Sequence, residues 1–488
     1  LLLHELTNIA HGILLLVHLF CGMLLEFEAF LINLISQTEV SIMKSMKRRD
    51  FLKSTLAASA VGMVPFNILK AGPSPNSKLN IACIGVGMQG SGNAEYLART
   101  DNVIALCDVD QVWHKKQIRN RKNLHGIKLW TDYRVMFDKI GKQIDAVLVA
   151  TPEHNHYTIS TAAIRRGKHV YCQKPLCHTV NEVRLLTEEA RKHKNVVTQM
   201  GNQGHSGTSS AMLRDWGLAG TIGPIREVHA YSRKNYWIDK PIATGCTIPE
   251  TLDWNLYLNR AEEIPFSTSY MNREWIRYSH FSGAVGDMAA HIFDPAYYAL
   301  DLRIPLSVRA EVNTPAYPGS LPRSGVITWE FGARGEKPPV TLKYYLGEDI
   351  EFPRPKHLEP GRREITSGSV MVGEHASIMA GSHSQGARII PESVMKETQK
   401  PPQAAFRCKG RTHFDNWTLA CKGEDKAMSN FEYAGPLSEI IVLGDIALLH
   451  PGRTLLWDSK NMKITNDEEA NKSLFMRRLA PRDNLNWC

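Results

Sequence analysis

Residues Leu79–Asp108, LNIACIGVGMQGSGNAEYLARTDNVIALCD, decide the fold. Leu79–Ile84 is a continuous apolar run of the kind that forms a parallel strand buried on both faces. A GxGxxG spacing follows at once, Gly85-Val86-Gly87-Met88-Gln89-Gly90, and Asn93–Arg99 then has a helical pattern. Glycines at such a junction allow a tight turn and let the backbone approach a pyrophosphate at a helix N-terminus. A second apolar strand, Val103–Cys107, ends on Asp108. A carboxylate there binds the adenosine ribose hydroxyls and repels a 2′-phosphate, unless it is simply a surface carboxylate at a strand end. Gly85, Gly87, Met88, Gln89, Gly90 and Asp108 are the first cofactor candidates, with NAD expected ahead of NADP.

Downstream the alternation continues. Helices are expected over Gln111–Lys122 and Tyr133–Ile140, a buried strand over Ile144–Ala150, and a helix over Thr158–Arg166. The strand His169–Cys172, the helix Glu182–Lys194 and the strand Val196–Met200 complete the set. Five or six strands alternating with helices imply a doubly wound parallel sheet with right-handed crossovers. Such sheets bind ligands at the carboxyl ends of their strands. Two stretches lie there: Thr151-Pro152-Glu153-His154-Asn155-His156, and Gln173-Lys174-Pro175. Thr151, Pro152, His154, His156 and Gln173 join the cofactor candidates. Lys174, with its backbone restrained by the following proline, is expected at the nicotinamide ring.

The second half opens with Met200-Gly201-Asn202-Gln203-Gly204-His205. Asn202 and Gln203 are expected to reach the cofactor, and His205 the substrate, although a polar linker whose side chains cap backbone groups is an equal reading. Strands are expected over Ile225–Ser232, Val308–Glu311, Ser324–Phe331, Val340–Tyr345 and Leu455–Trp457. Gly283–Leu300, GAVGDMAAHIFDPAYYAL, has a helical pattern. Asp287 and His291, four apart, share one face, and Asp294 adds a polar group at i+7. Glu348–Gln403 is rich in Gly, Pro and Ser and is expected to be an elaborated loop lining one side of the site. Arg411–Ala420 is helical, with His413 and Asn416 as substrate contacts or helix-capping surface residues. Trp237 is a candidate sugar-stacking residue, while Trp254 is as well explained by the core.

TPEHNHY, GKHVYCQKPL and the GVGMQG turn resemble the glucose–fructose oxidoreductase, inositol dehydrogenase and MocA (Gfo/Idh/MocA) family over about Leu79–Asn466. The resemblance implies a Rossmann domain, residues 79–200, followed by an α/β domain on an open, mainly antiparallel sheet, residues 201–457, with a tail over 458–488. It also implies that Lys174 touches both nicotinamide and the reacting hydroxyl, and that Asp287 and His291 form a proton-transfer pair. Lys174, Asp287 and His291 are thus the catalytic candidates, and the same three, with His205, Trp237 and His413, are the substrate candidates. Gln173 stands where the family has glutamate. The implied chemistry is oxidation of a secondary alcohol of a sugar or glycoside by NAD, in a dimer or tetramer. The rival is NAD-dependent glycoside cleavage through transient oxidation and elimination. A relative that does this lacks the Lys-Pro kept here as Lys174-Pro175.

The rest of the composition narrows the class. The 488 residues are 43% hydrophobic and 22% charged, ordinary for a globular chain of two domains. The net charge of +9 is inflated by Lys44, Lys47, Arg48, Arg49 and Lys53, so no nucleic-acid partner is inferred. Nine cysteines show no paired CxxC spacing, and no metal site or disulfide framework is expected. Residues 1–45 are expected to be upstream translation, since Glu26 and Glu28 cut the apolar run short of the ~20 residues a spanning helix needs. Residues 46–72, with Arg48-Arg49 before Asp50-Phe51-Leu52-Lys53 and a weakly apolar run, resemble a twin-arginine signal. That implies export of the folded protein to the periplasm with its cofactor bound, and no stable membrane insertion once the signal is removed.

Overall fold

The computed structural model describes residues 78–474, apart from residues 235, 237, 239, 240 and 314–316. Residues 1–45, the signal over 46–72, Trp237 and the end of the tail lie outside the described residues.

Six strands form the first sheet: β1 (Asn80–Ile84), β2 (Asn102–Cys107), β3 (Leu129–Trp130), β4 (Ala146–Val149), β5 (His169–Cys172) and β6 (Thr198–Met200). Their order is β3-β2-β1-β4-β5-β6, all parallel, with β1 at the switch point. Five helices alternate with them: α1 (Met88–Thr100), α2 (Gln111–Ile118), α3 (Tyr133–Ile140), α4 (His156–Arg165) and α5 (Val180–Lys192). Side chains start three of these helices. Asp110, Asp132 and Thr179 accept from backbone N–H groups of α2, α3 and α5. Helices α1 and α4 lack such a cap, and α1 is the one that meets the glycine turn. It begins at Met88, inside the glycine motif and earlier than the sequence pattern implied, and its N-cap Gly87 supplies no side-chain acceptor. Its first N–H groups are left for a ligand. Strand β3, only two residues long, gave no periodicity to read.

The second half contains α6 (Thr208–Leu218), β7 (Glu227–Ser232), α7 (Trp254–Leu258), α8 (Ala284–Ile292), α9 (Asp294–Leu300), β8 (Ser307–Val312), β9 (Gly325–Phe331) and β10 (Val340–Leu346). It continues with β11 (Ser367–Val372), β12 (Ser377–Gly381), β13 (Arg388–Ile390), α10 (Glu392–Glu397), α11 (His413–Cys421), α12 (Phe431–Leu449), β14 (Thr454–Asp458), β15 (Lys463–Ile464) and α13 (Glu468–Lys472). The sheet order is β13-β12-β11-β7-β10-β9-β8-β14-β15, antiparallel except for the β7–β10 pair. Two expectations are corrected. The region Glu348–Gln403 is not one elaborated loop, because it supplies three strands and a helix that extend the sheet. Its Phe352 and Leu358 also pack over Tyr231 and Val370. The single helix over Gly283–Leu300 is two, and Asp294 opens the second.

Helix α12 joins the halves. Nearly all of it is buried, and Trp329 of β9 donates from Nε1 to its Ile440 carbonyl at 3.0 Å. On the other side Glu439 takes two hydrogen bonds from Arg184 of α5, at 2.7 and 2.8 Å, and Ser438 Oγ accepts from Leu176 N just after the Lys-Pro turn. The strand end that carries Lys174 is therefore fixed directly to the second half. No helix among the described residues is long and apolar enough to cross a membrane.

Candidate active site

The carboxyl ends of β1, β2, β4 and β5 open into a cavity of about 510 Å³ that runs from the glycine turn to α8. At its first end Gly85 has φ +80°, and a Cβ there would lie 2.6 Å from the Ala150 carbonyl carbon. Asp108 holds the turn: its Oδ2 accepts from Val86 N at 2.8 Å and its Oδ1 from Asp110 N at 3.1 Å. Burial pushes the Asp108 carboxyl up to about 6, so it is ionised at neutral pH. Asp110, Trp113 and Tyr133 line the same end and were not singled out from the sequence. Each sits at a helix start just past a strand, a position that marks the adenosine side only once the strand order is known. This end fits a dinucleotide: free helix N–H groups, a turn without side chains, and carboxylates at the end of β2.

At the other end, Lys174 and α8 meet. Lys174 Nζ donates to the Asp287 backbone carbonyl at 2.6 Å and to Asp287 Oδ1 at 3.0 Å. Asp287 Oδ2 accepts from Lys234 Nζ and from the Tyr236 hydroxyl, each at 2.8 Å, and Arg273 lies 3.9 Å from Oδ1. Burial alone would raise the Asp287 pKa, but Lys174 and Lys234 outweigh it and hold the carboxyl far below its usual range. Asp287 does not hydrogen-bond His291, the partner expected from the i, i+4 spacing. One turn on, the His291 ring instead stacks on His383, with centroids 3.8 Å apart. Burial, then Lys174 and His383, hold His291 well below its ordinary pKa, so it is a neutral base at pH 7. His383 has φ +62°, the left-handed region that few non-glycine residues adopt. Lys234, Tyr236, Arg273 and His383 were all missed. They come from loops, and only the fold brings them to α8.

The other candidates divide. Thr151, Pro152, His156, Gln173 and Gln203 line the cavity with Gly87, Met88, Gln89 and Gly90. Both His156 nitrogens face backbone carbonyls, Pro175 O at 2.8 Å and Thr151 O at 2.9 Å, and burial lowers its pKa to about 4. It therefore pins the two strand-end loops together. His154 points away from the cavity: it sits against Tyr257 and Phe281, with Nε2 2.7 Å from the Tyr257 carbonyl. Asn202 is buried outside the cavity lining. His205 is bonded to Asp294 Oδ2 at 3.0 Å and packed on Tyr433 and Tyr298, so neither His205 nor Asp294 faces the cavity. His413 is committed on both nitrogens, to Met200 O at 2.7 Å and Ser206 Oγ at 2.6 Å. Asn416 bonds the Lys426 carbonyl. His205, His413 and Asn416 are thus structural here, because burial turned them into the junction between the two halves.

Two buried carboxyls grip the start of α8. Glu153 accepts from Ser282 Oγ at 2.8 Å, and Asp445 of α12 accepts from Val285 N at 2.9 Å. Burial pushes Asp445 up to about 8. The folded chain therefore keeps a proton that the unfolded chain gives up above its ordinary carboxylate pKa. This contribution to stability is full below about pH 4 and is lost as pH rises through 8. Asp445→Asn, which retains an acceptor for Val285 N–H, is expected to flatten that dependence. Calorimetric Tm values at pH 5 and pH 9 should lie closer together in the variant, and an unchanged gap would refute it.

The family model described as "Oxidoreductase family, NAD-binding Rossmann fold" matches residues 79–200, and "Oxidoreductase family, C-terminal alpha/beta domain" matches residues 208–322. Both are models of the Gfo/Idh/MocA oxidoreductase family, which the chain resembles over these residues. Among curated relatives, the inositol 2-dehydrogenase of Salmonella typhimurium is 27% identical over 154 residues, covering 31% of this chain and 45% of the relative. The levoglucosan dehydrogenase of Pseudarthrobacter phenanthrenivorans is 26% identical over 222 residues, 46% of this chain and 49% of the relative. The chain thus spans about half the length of these relatives. In fold, the chain is similar to the solved WlbA dehydrogenase from Chromobacterium violaceum in complex with NADH and UDP-GlcNAcA. The TM-score is 0.55 at 17% identity, over 80% of this chain and 99% of that one.

Proposed function

We propose that the chain is an NAD-dependent dehydrogenase that oxidises a secondary alcohol of a sugar or glycoside. The observation that carries this is the meeting of Lys174, ionised Asp287 and neutral His291 at the far end of the cavity that begins at the glycine turn. NAD, when bound, supplies a hydride acceptor. Gly85–Gly90 and the start of α1 would hold its pyrophosphate, Asp108 and Asp110 its adenosine ribose, and Gln173 and Lys174 its nicotinamide side. His291 takes the hydroxyl proton as the alcohol becomes a carbonyl. Lys174 has one N–H left after its two bonds to Asp287, and donates it to the developing alkoxide. Asp287 holds Lys174 in place through its carbonyl and Oδ1, which replaces the role of orienting His291. Periplasmic export with retained, recycled cofactor is part of the proposal and rests on the Arg48-Arg49 segment.

The test is mass spectrometry of the nucleotide that co-purifies, followed by NADH formation with a panel of sugars and glycosides. A keto-sugar product supports the reading. An aryl glycoside that releases its aglycone without net NADH would replace it with cleavage by transient oxidation.

Asp108 supports NAD over NADP. Asp108→Ser is expected to raise the NADP to NAD ratio of kcat/KM by about tenfold or more, while lowering the NAD value because the Val86 N–H loses its acceptor. In the wild type the discrimination should relax as pH falls below about 6, where Asp108 protonates. Steady-state kinetics with both cofactors at pH 5.5 and 8 check this, and a ratio unmoved by substitution and pH would sink it.

A further inference from the structure

Beside the reaction centre lies a second cavity of about 210 Å³, lined by Lys234, Tyr236, Arg273, Glu274, Arg277 and Asp287. Lys234, Arg273 and Asp287 also line the main cavity, so the two meet at the Asp287 carboxylate. The charges there do not balance among the described residues. Lys174, Lys234 and Arg273 converge on Asp287 alone, and Arg277 has Glu274 at 2.7 Å from its Nε. Glu153 does not line this second cavity and is bonded to Ser282 Oγ at 2.8 Å, with burial the main cause of a pKa raised above the ordinary carboxylate value. Lys234 uses one of its three N–H donors on Asp287, and Arg273 donates no hydrogen bond to a described residue. An excess of cations with unused donors, beside a nicotinamide that is itself positive when oxidised, suits an anion.

We propose that this second cavity is an anion subsite, and that the preferred substrate is a sugar bearing a carboxylate or a phosphate held by Lys234 and Arg273 while its hydroxyl faces Lys174 and His291. This rests on the dehydrogenase reading for its reaction but not for its binding. Arg273 offers a planar pair of donors that matches a carboxylate two to two, and Lys234 adds a point charge. Tyr236 is committed to Asp287 and shapes the floor.

The experiment uses the full chain loaded with NAD and three probes: glucose, glucuronate and glucose 6-phosphate. NADH formation gives kcat/KM, and calorimetry on the same preparations gives Kd independently of turnover. Glucuronate or glucose 6-phosphate is expected to exceed glucose by about tenfold or more in kcat/KM or in affinity, and whichever does identifies the anion. Arg273→Gln should lower the anionic-to-neutral ratio by about ten- to a hundredfold, mostly through KM. Arg273→Lys should restore part of it. Equal use of glucose and both anions, or a ratio unmoved by Arg273→Gln, overturns the subsite and leaves the dehydrogenase reading standing. Selective binding of an anion that Arg273→Gln weakens, without NADH from any sugar, supports the subsite and overturns the dehydrogenase reading instead.

Discussion

Lys174→Met is expected to lower kcat about 10³-fold while leaving the chain folded and able to bind NAD. The methionine fills nearly the same space but removes the ammonium that donates to Asp287 O at 2.6 Å and Oδ1 at 3.0 Å. Asp287 is not orphaned, since Lys234 and Tyr236 stay on Oδ2 at 2.8 Å. The cost of stripping a buried ion pair to a lone charge, about 3–5 kcal/mol where it occurs, is therefore not incurred in full. The loss falls instead on the transition state, where an oriented donor to the alkoxide and the proton transfer beside it contribute about 10²–10⁴-fold. A second readout separates this from simple misfolding. Lys174 is the second cause, after burial, of the low pKa of His291. Without that repulsion the His291 pKa rises, so the acid limb of the pH–kcat profile should move to higher pH in the variant. Calorimetry and NADH titration serve as controls. A kcat within tenfold of wild type, or an acid limb that stays in place, would remove Lys174 from the reaction centre.

The parts of this molecule legible in its sequence are those whose cause is local. LNIACI followed by GVGMQG specifies a buried strand, a turn and a helix within a dozen residues, and the parallel sheet follows from its repetition. Lys174, Asp287 and His291 were legible for a related reason. A Lys-Pro at a strand end and an i, i+4 pair are short patterns, and the family resemblance tied them together. Strands β11 to β13 were not, because SGSVMV, SIMAG and RII are short, interrupted by Gly and Ser, and gain their stability from neighbours far away in sequence. The histidines show the limit most clearly. His154, His205 and His413 are chemically as able as His291, yet each is spent on a carbonyl, a carboxylate or a hydroxyl within the junction. Which way a histidine points is a tertiary fact. The same holds for Lys234, Arg273 and His383, which reach the site from loops with no motif of their own.

Gly90→Ala is expected to cost NAD affinity by about a hundredfold or more and to destabilise the chain by at least about 2 kcal/mol. The reason is not the φ angle, since Gly90 lies in the first turn of α1 with a helical backbone. A Cβ at Gly90 would overlap the Gly85 carbonyl oxygen and press on Ala150 Cβ at 3.2 Å. Both neighbours are fixed. Gly85 N is bonded to Cys107 O at 2.9 Å, and Ala150 N to Ile84 O at 2.8 Å. The only relief is to push the start of α1 away from the turn, which spreads the N–H groups that would receive the pyrophosphate. Gly92, two residues on in the same helix, provides the control. Its Cβ would meet nothing closer than Arg121 Nη2 at 3.7 Å, an ordinary contact. There the usual helix preference applies, and Gly92→Ala should stabilise by up to about 1 kcal/mol with NAD binding unchanged. Fluorescence titration with NADH and thermal unfolding of both variants decide the matter. If Gly90→Ala binds as Gly92→Ala does, the turn yields more easily than its packing implies, and the pyrophosphate is not held against the start of α1.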